Sequence, residues 1–118
     1  MKYTLLGNQS DIVYVESEEV LISDTPSALD LMMTIIYDYN STKIILNKHT
    51  FSEEFFRLSS GIAGDVLQKF INYRTKLAII GDFSKYTSKP LQDFIYECNK
   101  GRDFFFVDNL DQAVARLE

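Results

Sequence analysis

Apolar residues along this chain fall into blocks whose period changes from strand-like to helical and back. Lys2–Leu6 and Asp11–Glu16 are rich in β-formers, and Gly7-Asn8-Gln9-Ser10 between them is a turn cluster, so the pair predicts a hairpin. Val20–Ile22 reads as a further short extended piece. From Ala28 onward the spacing becomes helical, through Leu29, Met32, Ile35, Ile36 and Tyr39. Thr25 is the expected cap of that helix, with Pro26 at the first helical position, where a missing N–H costs little. Asn40-Ser41-Thr42 is its expected stop.

Three later runs are apolar at consecutive positions: Ile44-Ile45-Leu46, Leu77-Ala78-Ile79-Ile80 and Phe104-Phe105-Phe106-Val107. Runs of this kind mark strands covered on both faces, as in the centre of a parallel or mixed sheet. Helical patterns separate them. Ser59 or Ser60 is the expected cap of one helix, whose apolar face holds Ile62, Val66, Leu67, Phe70 and Tyr73. Ser88 is placed before a second, with Leu91, Phe94, Ile95 and Cys98 on one face and Gly101 as a left-handed stop. Asn109 and Gln112 suit a capping box for the last helix, with Leu110, Ala113, Val114 and Leu117 inward. The predicted order is β-β-α-β-α-β-α-β-α, a single α/β domain over residues 1–118 with right-handed crossovers. In such folds the functional crevice lies beyond the carboxyl ends of the strands. That rule points to Asn47–Ser60, Gly81–Ser88 and Asp108-Asn109.

Composition narrows the function classes. The 118 residues hold 12 Lys and Arg against 17 Asp and Glu, a net charge of -5, and the cations are scattered. That argues against a nucleic-acid backbone as partner and suits a basic patch on a protein. One Cys makes no internal disulfide, and no apolar run approaches the ~20 residues of a membrane span. The first residues carry no secretory signal pattern, which makes the cytoplasm the expected location. The sequons at Asn8 and Asn40 are then simply turn residues. No phosphate-binding, dinucleotide-binding or nucleophile-elbow motif is present, so no cofactor is expected.

Candidate chemistry concentrates in Phe56-Arg57-Leu58-Ser59-Ser60-Gly61-Ile62-Ala63-Gly64-Asp65. Two hydroxyls at a helix start, with Arg57 close by, suit a phosphorylated serine, because free N–H groups and the dipole favour an anion there. They equally suit a helix cap. Gly61, Ala63 and Gly64 remove bulk, letting the helix approach the sheet or a partner. His49 is the only histidine and follows a strand, where a general base or ligand would sit; a turn histidine fits as well. Asp82, with Ser84, stands at a strand's carboxyl end, where a carboxylate suits binding a hydroxyl, an amine or a metal, or closing an Asx turn. Ser52-Glu53-Glu54 reads as a helix start, and Cys98 as a buried small hydrophobe.

Two resemblances rest on these residues. Gly61-Ile62-Ala63-Gly64-Asp65, Gln68-Lys69-Phe70, Asn72-Tyr73-Arg74 and Leu77-Ala78-Ile79-Ile80-Gly81-Asp82-Phe83-Ser84 resemble the bacterial family catalogued as domain of unknown function 4180. So do Ser88, Leu91, Asp93-Phe94-Ile95-Tyr96-Glu97 and Asn99, and the likeness spans nearly the whole chain. It implies no activity. The element order is also similar to the STAS domain of bacterial anti-anti-sigma factors. In that family a strand leads to a serine at a helix start, and a kinase phosphorylates it to switch partner binding. Lys43–Asn47 resembles that strand, and Ser59-Ser60-Gly61 that motif, with Ser60 at the phosphorylated position. Leu58 stands where those factors carry Asp, and Lys48–Leu58 is a longer, more aromatic connection.

The resemblance implies a STAS-like two-layer sandwich, with a mixed sheet of about five strands and about four to five helices on both sides or mainly one. The expected function is a non-enzymatic regulatory module that binds a protein partner around Ser59, Ser60, Gly61 and Arg57. A small-molecule binder or weak enzyme using His49, Asp82 and Ser84 is the alternative, and homodimerisation through a strand edge or helix face is a third.

Overall fold

The computed structural model describes all of residues 1–118. Strand β1 (Lys2–Leu6) runs antiparallel to β2 (Ile12–Glu16), with Lys2 opposite Glu16 and Leu6 opposite Ile12. Gly7 takes a left-handed φ of 90° that closes the hairpin, and the Ser10 N–H donates to its carbonyl. The chain continues through α1 (Thr25–Tyr39), β3 (Lys43–Asn47), α2 (Ile62–Asn72), β4 (Lys76–Ile80), α3 (Lys89–Lys100), β5 (Phe104–Val107) and α4 (Leu110–Leu117). The sheet order is β1-β2-β3-β4-β5, and β2 to β5 are mutually parallel. The expected alternation and the mixed five-stranded sheet with four helices are thus observed.

The consecutive apolar runs arise because helices cover both faces. Val13, Val15, Ile44, Leu46, Leu77, Ile79, Phe104 and Phe106 face one side, where they pack with Met32 and Ile35 of α1, Val66 and Phe70 of α2, and Leu91 of α3. Ile12, Ile45, Ala78, Phe105 and Val107 face the other, against Ala113 and Leu117 of α4. The middle phenylalanine of Phe104-Phe105-Phe106 therefore belongs to a different core from its neighbours. Burying side chains of this size stabilises the fold by roughly 1.5–3 kcal/mol each.

Several end residues differ from expectation. Asp24, not Thr25, caps α1: its carboxylate accepts from the Ser27 N–H, while Ser27 Oγ accepts from the Asp24 N–H. Gly61 caps α2 in a left-handed conformation, which moves Ser59 and Ser60 into the turn before the helix. Gly101 is extended rather than left-handed. Asn109 caps α4 as expected, but Gln112 reaches back to the Asp108 N–H, one residue earlier than a capping box requires. Ser52 precedes a 3-10 turn and makes no side-chain cap bond. Of Val20–Ile22 only Ile22 pairs, in a single parallel bridge to Phe51.

Candidate functional site at the start of helix α2

The connection from β3 to α2 consists of three 3-10 turns, Lys48–Thr50, Glu53–Phe56 and Leu58–Ser60. It is fastened near its start by backbone hydrogen bonds. The Leu21 and Ile22 N–H groups donate to the Thr50 carbonyl at 2.7 and 3.0 Å, and the Ser52 N–H donates to the Ile22 carbonyl. Phe51, Phe55 and Phe56 are buried and pack ring on ring, with Tyr86 of the β4–α3 loop stacked on Phe56 at 5.3 Å. The aromatic content noted in the sequence thus anchors this connection onto the core.

The last turn delivers the serines. Ser60 Oγ donates to the Glu54 carbonyl at 2.8 Å and accepts from the Ile62 N–H at 3.3 Å. Its hydroxyl ties the turn together rather than capping the helix from the cap position. Ser59 is exposed and lines a groove of about 420 Å³ with Arg57, Tyr86 and Ser88. The Arg57 guanidinium pairs with the Glu54 carboxylate. Gly61 has a φ of 80°, and a Cβ on either Gly61 or Gly64 would meet nothing within 4 Å. Ala63 is the residue of this stretch that packs inward. The Ala63 and Gly64 N–H groups donate to no protein acceptor, as the first turn of a helix dictates when no side chain caps it.

Beneath this turn sits a cluster with no local signal in the sequence. The Lys48 ammonium lies 5.4 Å from the Phe56 ring centre, 5.1 Å from that of Tyr86 and 3.8 Å from the Glu53 carboxylate. Tyr86 donates its hydroxyl hydrogen to Glu53 at 3.1 Å. Partial burial, then the hydrogen bond to Glu53 and its charge, push the Tyr86 hydroxyl up to about 12.

His49, Asp82 and Ser84 are not brought together. His49 Nε2 lies 2.7 Å from the Ser17 carbonyl, to which it donates, and the ring borders a polar hollow with Glu16 and Glu18. The Asp82 carboxylate accepts from both the N–H and the hydroxyl of Ser84, at 3.0 and 2.6 Å. Those two bonds, aided by Lys48 and Lys85, hold its carboxyl below the usual aspartate value. Asp82 thus closes an Asx turn. Cys98 is half-buried and lines an apolar groove of about 280 Å³ between α2 and α3, with Leu67, Ile71, Phe94 and Phe104. No three His, Cys, Asp or Glu side chains gather as metal ligands, and no helix is long and apolar enough to cross a membrane.

A family model described as Domain of unknown function (DUF4180) matches residues 7–117. The chain belongs to that family. Among solved structures, this DUF4180 protein is similar to a Thermotoga maritima protein described as an anti-sigma factor antagonist. The TM-score is 0.51 and the identity 12%, over 98% of this chain and 92% of that one. At that identity the likeness concerns the fold, and it agrees with the STAS-like architecture expected from the element order. No match was found among curated proteins.

Proposed function

We propose that this protein is a non-enzymatic regulatory module that binds a protein partner through the surface at the start of α2, around Ser59, Ser60 and Gly61. The observation that carries this reading is the bare backbone of that turn. Gly61 has an internal reason to be glycine, its left-handed φ. Gly64 has none: it is exposed, lies within the helix, and its missing Cβ leaves open space. A glycine inside a helix costs up to ~1 kcal/mol relative to alanine, and Gly64, in the first turn, still lacks alanine's helix preference. Its use here is to let another chain come close to the helix backbone and to the free N–H groups of Ala63 and Gly64.

The fold is compatible with this reading, since the similar Thermotoga maritima protein is described as an anti-sigma factor antagonist. The exposed carboxylates of Glu53, Glu54 and Asp65 near the turn favour a partner with a basic rim. Regulation would enter at Ser60. A phosphate on its oxygen removes the hydrogen bond to the Glu54 carbonyl and adds about two negative charges to the binding surface.

The test is affinity capture from a lysate of the source organism on four immobilised chains: wild type, Ser60→Ala, Ser60→Glu and Gly64→Trp. Circular dichroism first establishes that each is folded. The reading expects a protein retained by wild type and Ser60→Ala and lost from Ser60→Glu and Gly64→Trp. Retention of one and the same set by all four chains overturns it.

A further inference from the structure

The β1 edge of the sheet has no strand beyond it. Edge strands are templates for pairing, and proteins blunt them with charged side chains, proline, bulges or short length. β1 has no proline, pairs residue for residue with β2 without a bulge, and carries one charge, Lys2. Two exposed large apolar side chains, Met1 at 67% and Leu5 at 48%, lie along it. Tyr3 and Leu5 point to the α1 side of the sheet. Tyr3 stacks on Tyr39 of α1, and Leu5 stands opposite Val13 of the same core. Beside Tyr3, between the edge and α1, a hollow of about 300 Å³ is lined by Met1, Leu21 and Leu31 among others.

We infer that β1 pairs antiparallel with β1 of a second copy of this chain, about a twofold axis at Thr4. This register is the one that overlaps all of Lys2–Leu6 in both strands. Thr4 then faces its own copy, Tyr3 faces Leu5 and Lys2 faces Leu6. A twofold interface must be self-complementary, and these three pairings are. Each Leu5 is delivered beside the other copy's Tyr3, at the mouth of its hollow. Aromatic–aliphatic and Thr–Thr cross-strand pairs are favourable. The only charge on the strand meets an apolar side chain, so no like charges are opposed. One strand pair makes a small interface, below ~1,200 Å², so the dimer is weak and reversible. The charge of -5 on each copy opposes it, and added salt strengthens the association by screening that repulsion.

Sedimentation velocity from about 1 to about 200 µM, the range of a weak complex, tests this directly. The expected result is a monomer that becomes a dimer with rising concentration, and a Leu5→Lys chain that stays monomeric throughout. The register is tested by Thr4→Cys in a Cys98→Ser background. Facing residues of antiparallel strands have Cα atoms ~4.5–5.5 Å apart, within disulfide reach, so mild oxidation links two chains. A wild type that is monomeric at the highest concentration overturns the inference. So does a dimer in which Thr4→Cys stays unlinked. Where Leu5→Lys fails to fold, the disulfide decides.

Discussion

A Cβ placed on Gly81 would lie 2.6 Å from the Cβ of Lys48. Gly81 follows β4 and Lys48 follows β3, so the lysine stem fills the space that a side chain at position 81 would need. With no side chain at position 81, the Lys48 stem is free to run toward the Phe56 and Tyr86 rings, which joins the β3–α2 connection to the β4–α3 loop. Gly81→Ala is expected to destabilise the fold by about 1–3 kcal/mol, the usual cost of overpacking. Urea denaturation measures it. Loss of the Lys48 contact also lowers the Tyr86 stacking on Phe56, visible as a change in near-ultraviolet circular dichroism.

The Asp24 carboxyl gives the fold a pH dependence with a defined sign. Hydrogen bonds from the Ser27 backbone and side chain hold it below the ordinary value of 3.8. A depressed carboxyl contributes stability above its unfolded value and loses it as pH falls through the folded one. Thermal midpoints should therefore be level near neutrality and fall on acidification below about pH 4. Asp24→Asn should start lower at neutral pH and show a shallower acid limb. Equal acid limbs in the two chains would show that Ser27 does not hold the carboxylate.

Cys98 should be chemically quiet in the folded chain. Burial, and then the Glu97 carboxylate, push its thiol up to about 11. Since the thiolate is the reactive form, alkylation by iodoacetamide at pH 8 is expected to be far slower than in urea. The rate should climb as pH is raised toward the thiol's own value while the fold persists. A folded-state rate at pH 8 equal to that in urea contradicts the placement of Cys98 on the core-facing side of α3.

The sheet was legible because its strands are covered on both faces. Phe104-Phe105-Phe106 must put a ring on each side, and consecutive apolar residues at Ile44-Ile45-Leu46 say the same of β3. Helix ends were less legible, since adjacent residues compete for the cap. Asp24 and Thr25 are both capping types, and the reciprocal bond from Ser27 decides between them. At α2 a pair of serines hides the fact that Gly61, able to turn left-handed, takes the cap and displaces both. Ser59, Ser60 and Arg57 do fall in one turn, as their spacing implies. Tyr86 reaches Lys48 and Glu53 only through the tertiary fold, and no periodicity links it to positions more than thirty residues earlier. His49 and Asp82 sat at strand ends where ligands bind in such folds, yet Ser17 and Ser84 occupy their polar atoms.

If a protein partner docks on the start of α2, charge at Ser60 should control its affinity. The most direct test is the affinity of a partner captured on the wild type, measured by calorimetry against Ser60→Ala and Ser60→Glu. Ser60→Ala should bind within about threefold of wild type, and Ser60→Glu at least ~10-fold more weakly, a difference of ~1.4 kcal/mol or more. Equal affinity for all three chains would contradict it.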